Sequence, residues 1–298
     1  MSVNKEAILE KIHQTDRLPV LPATAVNIIA LSNDGELYPA KVAPVISQDP
    51  LLAARLLSVA NSAMFSLGRE ITNLTEALSI LGVDLTMSIA VGFVLVDSMR
   101  EDESVETGFN YDLFWRKSVL GAVAAVELKA ELSGVNQGDL FVAALMQDIG
   151  VVALDSIVGR QYVAMVNGAR SHLDLVEMER RAFGLDHAEI GGAVLQRWGL
   201  PALHCNAVER SHHLLDKKPL ADIDDLQFGV AFSGMLAEQW MAEMETDEAL
   251  DDCIQSSVAR ISDEGLQRAM DKTIEAVPVA SEVFKLQLLD PDQLSRVA

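Results

Sequence analysis

Apolar residues recur at helical spacing along most of the chain, and proline, glycine and capping residues separate the helices that this spacing predicts. Pro39 and Pro50 each open a helix, with Asp49 as the cap of the second. Thr72 is placed to cap a helix that ends at Gly82. No segment before residue 100 alternates apolar and polar residues for long enough to form a strand. The pattern therefore predicts an all-α fold.

Composition and length indicate how these helices are organised. Aromatic residues make up only 5% of the 298 residues, whereas Leu, Ala, Val and Met are plentiful, which favours helices packed on helices. The length predicts one large or two medium domains. Residues 100–109 (REDESVETGF) interrupt the apolar pattern with four acids and a glycine. We expect an N-terminal helical subdomain at 1–100 and a second helical subdomain, with closing C-terminal helices, at 110–298.

Charge and cysteine content restrict the environment and the partners. The formal net charge of −21 repels phosphate backbones and anionic lipid headgroups, so we expect neither nucleic acid nor a membrane as a partner. Cys205 and Cys253 lie far apart without the spacing of a zinc site. The first residues lack the apolar core of a signal peptide, and the longest apolar runs have eight residues. These features predict a cytoplasmic protein.

Residues 141–150 (FVAALMQDIG) are the stretch most indicative of a functional site. An apolar helical run ends in Gln147 and Asp148, and Gly150 follows, so a carboxylate stands where a helix leaves the core. Histidine and aspartate are the usual ligands of hydrolytic metal centres, and distant positions can converge in a helical bundle. The candidate positions are Lys117, Gln147, Asp148, His187, His212 and His213.

Each candidate also has a purely structural explanation. His187 follows Asp186 in a capping box that Glu189 completes, so its side chain could simply be exposed in a first helical turn. Adjacent residues on a helix face different directions, so His212 and His213 do not both line one pocket of a regular helix. Asp148 could belong to a turn. On spacing alone, these structural roles are favoured over a metal site.

Several short motifs, in order along residues 15–240, resemble the HDOD family, the HD-related output domains of bacterial signalling proteins. In the first half they are residues 18–22 (LPVLP), 46–50 (ISQDP), 56–63 (LLSVANSA) and 71–78 (ITNLTEAL). In the second half they are residues 114–116 (FWR), 148–150 (DIG), 183–191 (FGLDHAEIG) and 198–201 (WGLP). The resemblance implies an HD-domain-like multi-helix bundle that an N-terminal helical subdomain precedes.

The resemblance also implies a metal site that has degenerated. The related HD-type metal phosphohydrolases hold metal with an early histidine, a His-Asp pair, later histidines and a last aspartate. Here Lys117 stands at the early position, and Gln147 and Asp148 stand at the pair. His187 and the His212-His213 pair remain, but residues 230–234 (VAFSG), where the last aspartate is expected, contain none.

The chemistry of these replacements favours loss of the metal. An amide oxygen is a weak neutral ligand, and a protonated ammonium repels a metal ion instead of binding it. We therefore interpret the six positions as remnants without catalytic, metal or cofactor roles. Our hypothesis is that the ammonium of Lys117 occupies the space that a metal would fill and neutralises Asp148.

Three functions are compatible with this sequence. The favoured one is a non-catalytic signalling or regulatory module that binds a partner protein or a small ligand, with Ser62, Arg69 and Trp115 as further candidate contacts. The sequence leaves no room for a receiver or kinase segment, so we expect the input to come from another chain, and the closing helices could form a homodimer contact.

The two alternatives use the same cavity differently. One is a divergent HD-type metal-dependent phosphohydrolase, acting on a phosphoester or nucleotide with Mn, Fe or Zn held by Asp148, His187 and one of the His212-His213 pair. The other is a nucleotide-binding sensor that uses Arg69, Arg116 and Lys117 without metal. Metal content distinguishes the first alternative from the favoured function.

Overall fold

The protein is all-α over the part of the chain that the computed structural model describes. This part comprises residues 5–15, 18, 21–32, 37–62, 69–100, 108–242, 248–290 and 293, and it contains no strand. The first helices are α1 (Lys5–Gln14), α2 (Ala23–Ser32), α3 (Pro39–Ile46), α4 (Pro50–Ala60), α5 (Leu74–Leu81) and α6 (Val83–Arg100). Most of the predicted subdomain boundary, residues 101–107, lies outside the described residues, so the division of the chain stays a prediction.

Ten further α-helices lie within the described residues of the second half. They are α7 (Tyr111–Glu127), α8 (Gln137–Met146), α9 (Ile149–Val158), α10 (Arg160–Gly168), α11 (His172–Phe183), α12 (His187–Arg197), α13 (Ala202–Glu209), α14 (Asp225–Met241), α15 (Glu248–Val258) and α16 (Asp263–Phe284). Two short 3₁₀-helices cover Leu128–Glu131 and Leu220–Asp222.

Capping residues fix where most of these helices begin. Asp49 Oδ1 accepts hydrogen bonds from the backbone amides of Leu51 and Leu52, both at 3.0 Å, as the sequence predicts. Asp186 forms the predicted capping box at the start of α12. The predicted cap at Thr72 is wrong by one residue, because Asn73 occupies the N-cap position of α5 and accepts from the third amide of the helix at 2.9 Å.

Two helices of the second half end in turns. Regular α-helix in α7 ends at Glu127, and a 3₁₀ turn follows. The helix α13 ends at Glu209, and residues 210–217 form consecutive turns. These turns change the direction in which the neighbouring histidines point.

The central helix of the core is α7, which packs against α8, α14 and α16. Trp115, on α7, is fully buried. The helix α6 packs along α8 and so joins the N-terminal helices to the second half. Gln137–Val158 has the length and apolar composition of a membrane span, but 83% of its most apolar window is buried inside the protein, as in a core helix.

Candidate functional site

The structure brings five of the six predicted positions together on the second-half helices. These are Lys117, Gln147, Asp148, His187 and His212, and His172 joins them although the sequence had not singled it out. His213 does not belong to this cluster, because its half-buried side chain leaves the turn in another direction. We call Lys117, Asp148, His172, His187 and His212 the Lys117 cluster.

Asp148 reaches the cluster because it does not cap a helix. It stands in the N-cap position of α9, yet its side chain accepts no capping hydrogen bond. Its carboxylate is therefore free to pair with Lys117, and Oδ2 lies 3.1 Å from Lys117 Nζ. A Cβ atom at Gly150 would overlap the carbonyl oxygen of His187. The start of α9 can lie against the start of α12 only because residue 150 is glycine.

His187 is held by a buried carboxylate behind it. Both His187 and Glu179 are completely buried. Glu179 Oε2 accepts the backbone N–H of His187 at 2.9 Å and lies 2.7 Å from its Nδ1, while the hydroxyl of Tyr162 donates to the other oxygen of Glu179. The proton on Nδ1 faces Glu179, so Nε2 points into the cluster, 3.6 Å from Asp148 Oδ1.

The other two imidazoles stand beside His187. His172 is the first residue of α11, and its Nε2 lies 3.1 Å from Nε2 of His212. The three ring centroids are 4.6–5.1 Å apart, with near-perpendicular planes. Nδ1 of His212 lies 3.2 Å from Asp186 Oδ2, close enough for a charge interaction although the angle is poor for a hydrogen bond.

The ammonium of Lys117 has three partners for its three N–H groups. Nζ lies 2.6 Å from Glu238 Oε2, 3.1 Å from Asp148 Oδ2 and 3.1 Å from His172 Nδ1. Burial alone lowers the pKa of Lys117, but Asp148 and Glu238 outweigh this and raise it above its usual value. The side chain is therefore a permanent cation in the site.

These contacts determine where the imidazole protons lie. An ammonium only donates hydrogen bonds, so Nδ1 of His172 accepts one and the proton of the neutral ring is on Nε2. That proton points at Nε2 of His212, which must then accept it and carry its own proton on Nδ1, toward Asp186. Lys117, His172 and His212 thus form one consistent series of donors and acceptors, whereas Nε2 of His187 and Nδ1 of His212 make no hydrogen bond within the described residues.

Burial and the neighbouring charges together shift the pKa values of Asp148, His172 and His187. Burial raises the pKa of Asp148, but the charges of Lys117 and His187 outweigh it and hold that pKa well below its usual range. Burial, and next the charge of Lys117, lower the pKa of His172 well below its usual range. Burial also lowers the pKa of His187, but Glu179 and Asp148 raise it to about 10. At neutral pH, His172 is neutral and His187 is charged.

Gln147 fills a notch between two helices beside the cluster. Its side chain is buried, and a Cβ atom at Gly234 on α14 would overlap its amide. A Cβ at Gly121 on α7 would lie 3.2 Å from Nε2. No described residue accepts a hydrogen bond from Nε2, and the amide lines the cavity above the cluster. Gln147 therefore carries a buried donor without a partner in the described part of the chain, at the edge of that cavity.

The cavity above the cluster has a volume of about 300 Å³. Its floor carries the Lys117 side chain and the cluster imidazoles His172 and His212, and its apolar walls include Leu173 and Met235. Arg69, Arg116 and Trp115 do not line it: Arg69 pairs with Glu76, Arg116 points toward a carbonyl of the C-terminal segment, and Trp115 lies in the core. Ser62 lines a separate apolar cleft beside α16.

The donor set of the cluster would fit a single metal ion. One ligand atom each from Asp148, His172, His187 and His212 lies within 4.8 Å of the others. Metal–nitrogen bonds of about 2.0–2.1 Å place neighbouring ligand atoms closer together than this, so a small contraction would suffice. Glu179 and Asp186 stand behind two of the imidazoles, as the outer carboxylates of metal sites do. Lys117 is the group that opposes a metal here.

Three functional residues were missed from the sequence. His172 stands one residue after the N-cap Ser171, and a census of the six histidines would have included it. Glu179 and Glu238 lie on the interior faces of α11 and α14, and among many acids nothing local distinguishes them. The contact of Glu179 with His187 and the packing of α14 against α7 bring the two carboxylates to the site.

Solved structures of other proteins share this fold. An HDOD domain protein of unknown function from Geobacter sulfurreducens aligns with a TM-score of 0.71 at 22% identity, covering 94% of this chain and 96% of that one. A candidate phosphohydrolase from Shewanella amazonensis aligns with a TM-score of 0.69 at 23% identity, covering 94% and 97%. A candidate metal-dependent phosphohydrolase from the same organism reaches 0.64 at 23% identity, with the same coverage. At these identities the similarity shows the fold.

Sequence comparison identifies the family. An uncharacterised protein from Treponema pallidum is 26% identical over 226 residues, which are 74% of this chain. The chain spans only 42% of the length of that relative. The model of the HDOD domain matches residues 18–214, about two thirds of the sequence. The chain therefore belongs to the HDOD domain family.

Proposed function

We propose that this HDOD protein is a non-catalytic regulatory module in which Lys117 stands where a metal ion would be bound. The observation that supports this is the placement of Lys117 Nζ, 3.1 Å from Asp148 and 2.6 Å from Glu238. The cavity above the ammonium would bind a signalling partner or a small ligand without converting it. A cytoplasmic location and a partner from another chain are part of this proposal.

Charge repulsion is the first argument against a bound metal. At about 4 Å and an effective dielectric constant of about 20, a divalent ion and an ammonium repel each other by about 8 kcal/mol. Structural zinc sites supply about 10–16 kcal/mol in total, so this repulsion would cancel half or more of that binding free energy. Lys117 cannot escape the repulsion by losing its proton, because its two carboxylates raise its pKa.

The tautomer of His172 is the second argument. Its Nδ1 accepts a hydrogen bond from Lys117, so the proton of the neutral ring occupies Nε2, the atom that faces His212. A metal would need the lone pair of that Nε2, and moving the proton to Nδ1 would set two donors against each other. Lys117 thus opposes metal binding through both its charge and its hydrogen bond.

Metal content and turnover test this proposal. The protein is purified without chelator, reloaded separately with Mn²⁺, Fe²⁺ and Zn²⁺, dialysed, and assayed with bis(p-nitrophenyl) phosphate. We expect far less than one equivalent of metal and no turnover above that of Asp148→Ala, the matched control. Near-stoichiometric metal, with turnover that Asp148→Ala abolishes, would overturn the proposal.

One observation favours the second candidate, a divergent metal-dependent phosphohydrolase. Four side chains present ligand atoms within 4.8 Å of one another, and catalytic zinc sites work with three protein ligands and an open position. In that case Asp148, His172, His187 and His212 would hold the metal, which would supply Lewis-acid activation of water. The side chain of Lys117 would then have to move away from Asp148. Acetylation of the Lys117 amine would detect this movement, because its rate would change when metal is added.

A further inference from the structure

A second cavity lies toward the start of α8, where the N-terminal helices meet the second half, whereas the first lies beyond the end of that helix. It has a volume of about 230 Å³ and runs between α2, α6, α8 and α13. We call it the α6–α13 groove. Its apolar floor includes Met87, Val91 and Val142, each at least nine-tenths buried. At the rim, the side chain of Leu203 is 44% exposed, which is unusual for a leucine beside an apolar cavity.

A close contact between two helix starts fixes one end of this groove. A Cβ atom at Gly138 would lie 2.8 Å from the backbone carbonyl of Asp84, so α8 can approach the start of α6 only with glycine at this position. The groove is therefore set by backbone packing and not by the conformation of a loop.

Every charged side chain among the described residues of the groove is acidic. Asp84 is exposed in the first turn of α6, and Asp139 lies in the first turn of α8. Asp139 also holds His204, because its Oδ1 lies 2.8 Å from His204 Nε2. Its other oxygen accepts from Asn136 at 2.5 Å, so both oxygens are used and the negative charge stays in place.

His204 is one of the residues that line the groove, and one of its two ring nitrogens is unused. The residue is only 8% exposed, and its Nδ1 is buried without a hydrogen-bond partner in the described part of the chain. Because Nε2 faces the carboxylate of Asp139, the proton of the neutral ring is on Nε2 and Nδ1 is a bare acceptor. Buried polar atoms are normally paired, so this atom indicates a missing donor.

We propose that the α6–α13 groove docks an arginine of a partner protein, flanked by apolar residues. A guanidinium has several donors and no acceptor, which matches one bare imidazole nitrogen beside carboxylates. The groove is smaller than the roughly 300 Å³ at which small-molecule pockets begin, so it is sized for a side chain. The net charge of −21 attracts basic partners over long range. The bound segment would bridge the N-terminal helices and the second half.

Calorimetry with capped five-residue peptides tests this proposal. The probe has a central arginine flanked by leucines, and the matched peptide has glutamate in its place. Asp84→Lys should weaken binding of the arginine peptide at least about tenfold, and so should Leu203→Glu. Asp263→Lys is the control for the first variant, because it changes an exposed acid in the first turn of another long helix. Leu113→Glu is the control for the second, since Leu113 is 49% exposed in the first turn of α7.

We expect the arginine peptide to bind saturably, both to the unsubstituted protein and to the control variants. This binding should weaken with added salt, and it should shift the ring nitrogen resonances of His204. Four results would overturn the proposal: no saturable binding, equal binding of the glutamate peptide, equal losses in the control variants, or self-association that Leu203→Glu abolishes. The last result would identify a second copy of the chain as the occupant. Circular dichroism and melting temperature establish that each variant is folded.

Discussion

Replacing Lys117 by methionine should turn the Lys117 cluster into a metal site. Methionine keeps most of the length of lysine and removes both the charge and the hydrogen bond to Nδ1 of His172. The proton of His172 can then move to Nδ1, which leaves Nε2 free to bind a metal. Asp148, His187 and His212 complete the ligand set.

The expected gain in affinity follows from the repulsion that is removed. Even at the dielectric constant of water, a divalent ion and an ammonium about 4 Å apart repel each other by about 2 kcal/mol. This lower bound corresponds to about thirtyfold in the dissociation constant. The metal-free variant should lose about 3 kcal/mol of stability, because Asp148 and Glu238 lose their cation. Zn²⁺ at about 100 times its dissociation constant would restore about 2.7 kcal/mol.

Co²⁺ and Zn²⁺ provide the assay. Lys117→Met should bind one equivalent of Co²⁺ with visible absorption bands of a four-coordinate site, and Zn²⁺ should raise its melting temperature. Lys117→Arg keeps the charge and should bind neither metal, and Asp148→Asn in the methionine variant should abolish the gain. A folded Lys117→Met protein that binds no metal, or wild-type protein that binds equally well, would refute the reasoning.

Three further substitutions and conditions test the packing and charges of the site. The pKa of His187 is raised to about 10, so the stabilising contribution of its charge is complete below about pH 6.5 and is lost as the pH rises through 10. In urea unfolding, the free energy of unfolding should therefore fall between about pH 6 and about pH 10, and His187→Gln should make this fall smaller. Gly150→Ala forces α9 away from α12 and should lower the free energy of unfolding by about 3 kcal/mol. Gly168, at the end of α10, has open space around it, so Gly168→Ala should change that free energy by less than about 1 kcal/mol. Thermal unfolding measures both variants. Glu179→Gln removes the buried charge that holds the protonated imidazole of His187 and should lower the free energy of unfolding by about 3 kcal/mol. Glu177→Gln, on the outer face of α11, should lower it by no more than about 0.5 kcal/mol in the same experiment.

Local sequence signals predicted most helix starts but not every helix end. Asp49 and Asp186 were identified because a cap and its helix are neighbours in the chain. Asn73 was missed in favour of Thr72 because both residue types cap helices, and only the backbone shows which one leaves the helical conformation. The end of α7 depends on its packing against α14 and α16, which no local pattern encodes.

The site was only partly predictable for a related reason. The pairing of Lys117 with Asp148 was a hypothesis drawn from two positions in a known motif order, and the two side chains do meet, at 3.1 Å. His172 and Glu238 belong to helices far away in the sequence, and their contribution depends on how those helices cross. The prediction that the six positions have lost their metal remains a prediction until metal content is measured.

Three helices begin at the Lys117 cluster, and this has a consequence for its electrostatics. The starts of α9, α11 and α12 carry or adjoin Asp148, His172 and His187. The first turn of each helix has about half a positive elementary charge, because its amide groups are aligned and unpaired. The backbone thus supplies part of the counter-charge for the buried carboxylates around the cluster, in addition to the charges of Lys117 and His187. A variant without Lys117 keeps the positive charge of the three helix starts, so it can still fold with these carboxylates buried.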